Sequence, residues 1–313
     1  MEFGIYIRGA QNYEKMLELA RSAEKLDYFG VFLNDHVEGL SGDRKEPYLE
    51  AWTTITGIGV QTKKIRIGHI TLFNSLRNPA YLAKSVATLD QMTSGRYELI
   101  LGAGWNESEY LGYDLMEKGR GMPSAGERVT RLKESIEIIK GMLHNEVFSY
   151  DGKYWILKDA VNVPQPVQKP FRISVGARQP RMIRIAARHA DGINASGDLQ
   201  NIERILKRYH TELEKIGKRV DSVFISGFVP SVYLMRSREE YEDTLLKWKH
   251  RGTDINSARK YDFIGTPDIL IEKWRKAIDL GMNMSVINVR PSKTLAENIE
   301  MLTTFKDNVA NQL

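Results

Sequence analysis

The sequence predicts a closed (β/α)8 barrel, a TIM barrel of the α/β class, with insertions after strand four. Three observations predict it. Short apolar runs alternate with amphipathic segments eight times along the chain, an order that implies right-handed crossovers and a parallel sheet. The chain has 313 residues, a length at which barrels are built as one unit. The first strand runs into Arg8-Gly9-Ala10-Gln11, not into the glycine-rich turn that an open, doubly wound sheet would place there. No internal repeat or linker divides the chain, so residues 1–313 are expected to form a single barrel domain.

The elements follow in order. Residues 3–8 read as a strand. Residues 12–26 carry Met16, Leu17, Leu19, Ala20, Ala23 and Leu26 at helical spacing. Strands are expected at 28–33, 65–72, 97–102, 172–175, 192–195, 223–234 and 284–289. Helices are expected at 49–61, 80–92, 127–143, 179–189, 199–216, 239–251, 268–280 and 295–309. The rhythm breaks at 105–125, which is rich in Gly and polar residues, and at 148–157, a hairpin around Asp151-Gly152. Residues 163–170 hold three prolines and cannot be helix interior. Residues 250–263 form a candidate lid.

Composition narrows the function classes. With no cysteine, the chain has no disulfide, thiolate metal site or cysteine nucleophile. That fits a reducing, cytoplasmic setting. No signal-peptide-like start and no run of about 18 apolar residues is present, so no membrane span is expected. The net charge of +5 is spread along the chain. It reads as a mixed-charge surface or as a basic rim for an anionic ligand. No nucleic-acid module accompanies it. The histidines show no metal-ligand spacing, and no metal site is expected. Neither a GxSxG elbow nor a Walker loop occurs.

In a barrel, chemistry sits at the C-terminal ends of the strands. Asp35-His36 follows strand two. A histidine there can move a proton near neutral pH, and the adjacent carboxylate can orient it or bind a cofactor. The pair can also be a plain loop cap. Gly176-Ala177-Arg178 ends strand five and opens a helix, an arrangement that admits an anion and is equally a small-residue turn. Gly102-Ala103-Gly104-Trp105-Asn106 gives a second close-approach turn, with Asn106 suited to the amide edge of a ring. Tyr48, Trp105, Tyr110 and Tyr113 are candidate pocket aromatics.

These segments carry a resemblance. Asn34-Asp35-His36-Val37, Arg77-Asn78-Pro79-Ala80-Tyr81-Leu82-Ala83-Lys84, Leu101 to Tyr110 (LGAGWNESEY), Pro123 to Lys140, Pro166-Val167-Gln168-Lys169-Pro170 and Ile185 to Asn194 (IAARHADGIN) agree in order and spacing with one family. The sequence resembles the luciferase-like monooxygenase superfamily, and within it the coenzyme F420-dependent oxidoreductases. The resemblance runs from near residue 1 to about residue 290.

It implies a bacterial-luciferase-like barrel, a homodimer, and hydride transfer between coenzyme F420 and a small organic substrate. It implies His36 as the catalytic, proton-handling residue, with Asp35 and Asn106 at the cofactor ring. Gly176, Ala177 and Arg178 would take the cofactor phosphate. A non-proline cis peptide that bulges against the ring would fall at Ile70-Thr71 or at His69-Ile70, so His69, Ile70 and Thr71 are assigned to the cofactor. The chain departs from many relatives at His69, where a small residue or Thr is usual, and at Ala177 and Arg178, where Gly is frequent. One alternative in the same fold is an FMN-dependent monooxygenase supplied by a flavin reductase. The other is a barrel that only binds or scaffolds.

Overall fold

The computed structural model describes residues 1–10, 12–40, 42–290 and 294–313. Eight parallel strands form its centre: β1 (Glu2–Ile7), β2 (Gly30–Leu33), β3 (Arg66–His69), β4 (Tyr97–Gly102), β5 (Ile173–Gly176), β6 (Gly192–Ser196), β7 (Phe224–Leu234) and β8 (Met284–Arg290). Each strand pairs with the next, and β8 pairs with β1, which closes the ring. The expected (β/α)8 barrel is what the chain forms.

Eight helices pack outside: α1 (Tyr13–Lys25), α2 (Ala51–Gln61), α3 (Pro79–Met92), α4 (Ala125–His144), α5 (Pro180–His189), α6 (Leu199–Glu214), α7 (Pro267–Asp279) and α8 (Leu295–Asn308). Their starts are written locally. The side chains of Asn12, Asn78, Ser124 and Asp198 accept from backbone amides of the first turn, and Thr294 with Glu297 makes a capping box. The apolar stripe of each helix closes on the outer face of the sheet, which builds the main core.

The lower barrel is filled. At its base Arg66 and Arg172 both hold Glu98, and the Arg172 guanidinium lies 3.6 Å from the Phe224 ring centroid. Above this layer Phe32, Ile70, Ile100, Met284 and Val286 form an interior apolar cluster. A Cβ on Gly4, Gly30 or Gly68 would come within 2.6, 2.9 or 2.8 Å of the Phe32 ring, so the absence of side chains there is what lets Phe32 fill the barrel. The C-terminal mouth is left open.

Four segments differ in detail from expectation. The strand expected over 65–72 ends at His69, and a cis peptide joins Ile70 to Thr71. Leu72–Phe73 then pairs with β4, while the Phe73 amide is drawn 2.8 Å onto the Asp35 carboxylate. Residues 105–125 contain a short helix, Glu107–Gly112. The hairpin strands are Val147–Asp151 and Ile156–Val161, and Glu134 of α4 accepts from the Lys153 and Tyr154 amides in the turn. The candidate lid holds a helix, Ile255–Tyr261, ion-paired through Arg259 to Glu242 of the helix Arg238–His250. None of residues 250–263 lines the central cavity.

Candidate active site

The open mouth is a cavity of about 840 Å³. Its wall takes Tyr6 and Arg8 from β1 and its end, Asn34 to His36 after β2, Ile70, Thr71 and Phe73 after β3, and Gly102 to Trp105 after β4. Gly176 to Gln179 follow β5, Ser196 ends β6, and Phe228, Asn288 and Arg290 come from β7 and β8.

The segment after β2 is fixed one side chain at a time. The Tyr6 hydroxyl donates to Asn34 Oδ1 at 2.8 Å. Asp35 accepts from the Phe73 amide at 2.8 Å and from Arg77 at 2.6 and 3.1 Å. Arg77 also reaches Glu50 at 2.6 Å. His36 Nδ1 lies 2.9 and 3.1 Å from the two carboxylate oxygens of Glu109, and the Val37 amide donates to Glu109 at 2.8 Å. Glu38 takes Arg44 at 2.7 Å and is also bonded to Ser108.

The partner that orients His36 is therefore Glu109, so of the two roles open to Asp35 in the sequence, orienting the histidine is the one the geometry rules out. Asp35 lines the cavity, but both its oxygens are spent on Arg77 and Phe73. The Glu109 side chain is fully buried and that of His36 is 11% exposed. With Nδ1 committed to Glu109, Nε2 is the nitrogen left for a ligand. The Trp105 and Phe73 rings stand 5.6 and 6.5 Å from the imidazole and restrict its rotation.

His69 is not at the cavity. Gly68 and Ile70 face inward along β3, so His69 points out toward α2 by the two-residue period of a strand. Its ring stacks on Trp52 at 5.6 Å with planes 6° apart, and Nδ1 lies 2.9 Å from the Tyr97 hydroxyl. Burial pushes its pKa down to about 4, so the ring is neutral and accepts from Tyr97, whose phenol burial holds protonated.

Asn106 is also off the cavity wall. It accepts from Ser108 at 2.8 Å and lies 3.4 Å from Glu38, bracing the segment after β2. Of the expected pocket aromatics only Trp105 lines the cavity, and Tyr110 is fully buried.

The β5 turn is shaped by what it lacks. A Cβ on Gly176 would meet Thr71 Cγ2 at 2.5 Å, and one on Gly102 would meet Thr71 Oγ1 at 2.1 Å. The Thr71 side chain thus sits between two glycines at the cavity floor. Just beyond, α5 begins at Pro180 with no side-chain cap from Gln179. Its first amides are left for a ligand, beside Arg178.

A cavity at the carboxyl mouth of a barrel is where such folds carry their chemistry, and a carboxylate-clamped histidine on its wall has the geometry to move a proton. The chain belongs to the luciferase-like monooxygenase family, whose model matches residues 1–286. It is 33% identical over 214 residues to an F420-dependent glucose-6-phosphate dehydrogenase of Microbacterium testaceum, a match spanning 67% of this chain and 61% of that relative.

Among solved structures it superposes on an F420-dependent secondary alcohol dehydrogenase in complex with an F420-acetone adduct. There the TM-score is 0.79 and the identity 17%, with 99% of this chain and 98% of that one covered. It also superposes on the EDTA monooxygenase of Chelativorans sp. BNC1, with a TM-score of 0.81 at 15% identity, covering 100% of this chain and 93% of that one. At such identities the superpositions show the fold. No helix among the described residues is long and apolar enough to cross a membrane.

Proposed function

We propose that this protein is an oxidoreductase that passes a hydride between coenzyme F420 and a small organic substrate, with His36 handling the accompanying proton. The observation that carries the reading is the His36–Glu109 pair, set on the cavity wall between the Thr71 floor and Trp105. The names of the sequence relatives support the choice of cofactor.

The residues fit such a cofactor. The side-chain-free turn at Gly176, Ala177, the uncapped start of α5 and Arg178 would hold its phosphate. Ile70 and Thr71 would support the ring from below. When bound, the deazaflavin supplies the carbon that gives or takes the hydride.

The chain's own part is positioning and proton transfer. Glu109 accepts the Nδ1 proton, which fixes the tautomer with a free lone pair on Nε2. In the oxidising direction Nε2 removes a hydroxyl proton from the substrate. Glu109, its side chain fully buried, then stabilises the imidazolium across a charge-assisted bond. Reduction runs the same proton back. Asp35 acts at one remove, by anchoring the turn that carries Phe73 and Arg77. The reading extends to a cytoplasmic homodimer. The cysteine-free sequence supports the compartment, and exposed Tyr81, Ile156 and Val161 support association.

Separate titrations with coenzyme F420 and FMN, followed by absorbance and fluorescence, test it. Tight F420 binding with weak FMN binding upholds the reading. Preference for reduced FMN would move the protein to oxygen-using monooxygenases. Binding of neither would leave a barrel without this chemistry.

A further inference from the structure

The cavity has a second cationic end that hydride transfer does not use. β1 and β8 are neighbours, and their register sets Ile5 beside Ile287. Arg8 and Arg290 stand three residues further along, so they reach the rim at the same height, and both line the cavity. Burial pushes the Tyr6 phenol well up, and both guanidiniums are near enough to pull against it.

Arg8 is paired with Glu46 at 2.7 Å. Arg290 is exposed and has no ion-pair partner among the described residues. Two guanidiniums and one carboxylate leave this corner with a net positive charge.

Its position matters as much as its charge. β5 lies four places around the eight-stranded ring from β1, with three strands between them on either side, so Arg8 and Arg290 lie across the cavity from the Gly176–Arg178 turn. His36, Thr71 and Trp105 lie between the two ends. A cofactor anchored by phosphate at β5 would extend from there toward the middle of the mouth. The β1/β8 corner, with Tyr6, Asn34, Ser231 and Asn288, then falls to the second reactant. Nothing in proton transfer through His36 calls for two arginines there.

We propose that Arg8 and Arg290 form an anion subsite, and that the substrate is a small organic anion, a carboxylate or phosphate ester, whose charged group lies there while its reacting carbon lies beside His36. The substrate assignment rests on the proposed function; the anion subsite does not. Arg290 is the member with no ion-pair partner among the described residues, so it carries most of the affinity. Because the subsite opens to solvent, binding weakens as salt is raised.

The test is calorimetric titration of the protein, alone and loaded with coenzyme F420, with inorganic phosphate and with acetate at low ionic strength. Binding to the loaded wild type is expected, with affinity falling about tenfold or more in R290M and partly recovered in R290K. Thermal denaturation should show R290M folded as wild type. Tighter phosphate than acetate binding upholds the subsite for phosphate esters, and the reverse order upholds it for carboxylates. R290M binding both anions like wild type would overturn the proposal. So would an R290M protein that binds F420 more weakly and the anions unchanged, since the pair would then serve the cofactor. Phosphate held through Arg290 in a protein that takes no deazaflavin would uphold the subsite and refute the proposed function.

Discussion

Replacing Glu109 by Gln changes one atom and should disable His36. The carboxylate offers acceptors on both sides: Oε1 takes the Val37 amide at 2.8 Å, and Oε2 faces His36 Nδ1 at 2.9 Å. Glutamine has one acceptor oxygen. If that oxygen keeps Val37, the amide NH2 faces Nδ1 and must donate to it. The imidazole proton then moves to Nε2, which can no longer accept one. Loss of the charge-assisted bond alone is worth about 1.5–3 kcal/mol, or about 10–150-fold in rate. The wrong tautomer raises the expected loss to about 10²–10⁴-fold, the range expected for His36→Ala itself. The shape is kept, so F420 affinity and melting temperature should move little. Two measurements check this. The ¹⁵N shifts of the imidazoles report the tautomer of His36 without any substrate, and loss of deazaflavin absorbance reports turnover. An E109Q protein with the wild-type tautomer and turnover within about twofold of wild type would refute the reasoning.

Other consequences follow from the same geometry. The folded pKa of His69, depressed to about 4 against 6.5 for a free imidazole, means the unfolded chain binds a proton there that the folded chain does not. Stability should therefore be complete above pH 6.5 and fall by about 3 kcal/mol as pH drops to 4. Urea titrations should show this fall reduced by that amount in His69→Phe, and equal pH slopes in both proteins would contradict it. Gly176→Ala puts a Cβ 2.5 Å from Thr71 Cγ2. Forcing the floor and the β5 turn apart should weaken F420 binding about tenfold or more, and an unchanged titration would count against the cradle. Asp35→Asn leaves Arg77 with Glu50 alone and should cost about 3 kcal/mol in denaturant; a loss under about 1 kcal/mol would show the brace to be dispensable.

Much of the fold was legible because its signals are local. The apolar stripes and the alternation of runs located strands and helices to within a few residues. The end of β3 was not legible, because the apolar run through Leu72 continues past the point where the chain turns. That turn is set by the Asp35 carboxylate capturing the Phe73 amide from 38 residues away. His69 had a usable signal: counting by twos from Gly68 and Ile70 puts it on the outer face, against the expectation drawn from resemblance. Glu109 lay inside a recognised motif, yet nothing local separates it from Glu107. Packing does so, leaving Glu107 exposed and Glu109 buried under Val37.

The arrangement also explains how a loop can hold a proton-transfer group still. Loops have few backbone bonds to spare, and a catalytic side chain misplaced by about 1 Å loses much of its effect. Here five consecutive residues are tied to separate parts of the barrel. Asn34 is bound to β1, Asp35 to the turn after β3, His36 and Val37 to the helix after β4, and Glu38 to Arg44 and that same helix. Anchors from three directions fix both position and rotation of the segment. The two neighbouring acid–base side chains thereby take different jobs. Asp35, saturated by Arg77 and the Phe73 amide, locks the frame, whereas His36 is clamped on Nδ1 alone and Nε2 is left for the proposed proton transfer. The adjacency of Asp35 and His36 in sequence suggests a dyad, but adjacent side chains on an extended segment point apart, and the carboxylate that His36 meets comes from 73 residues away.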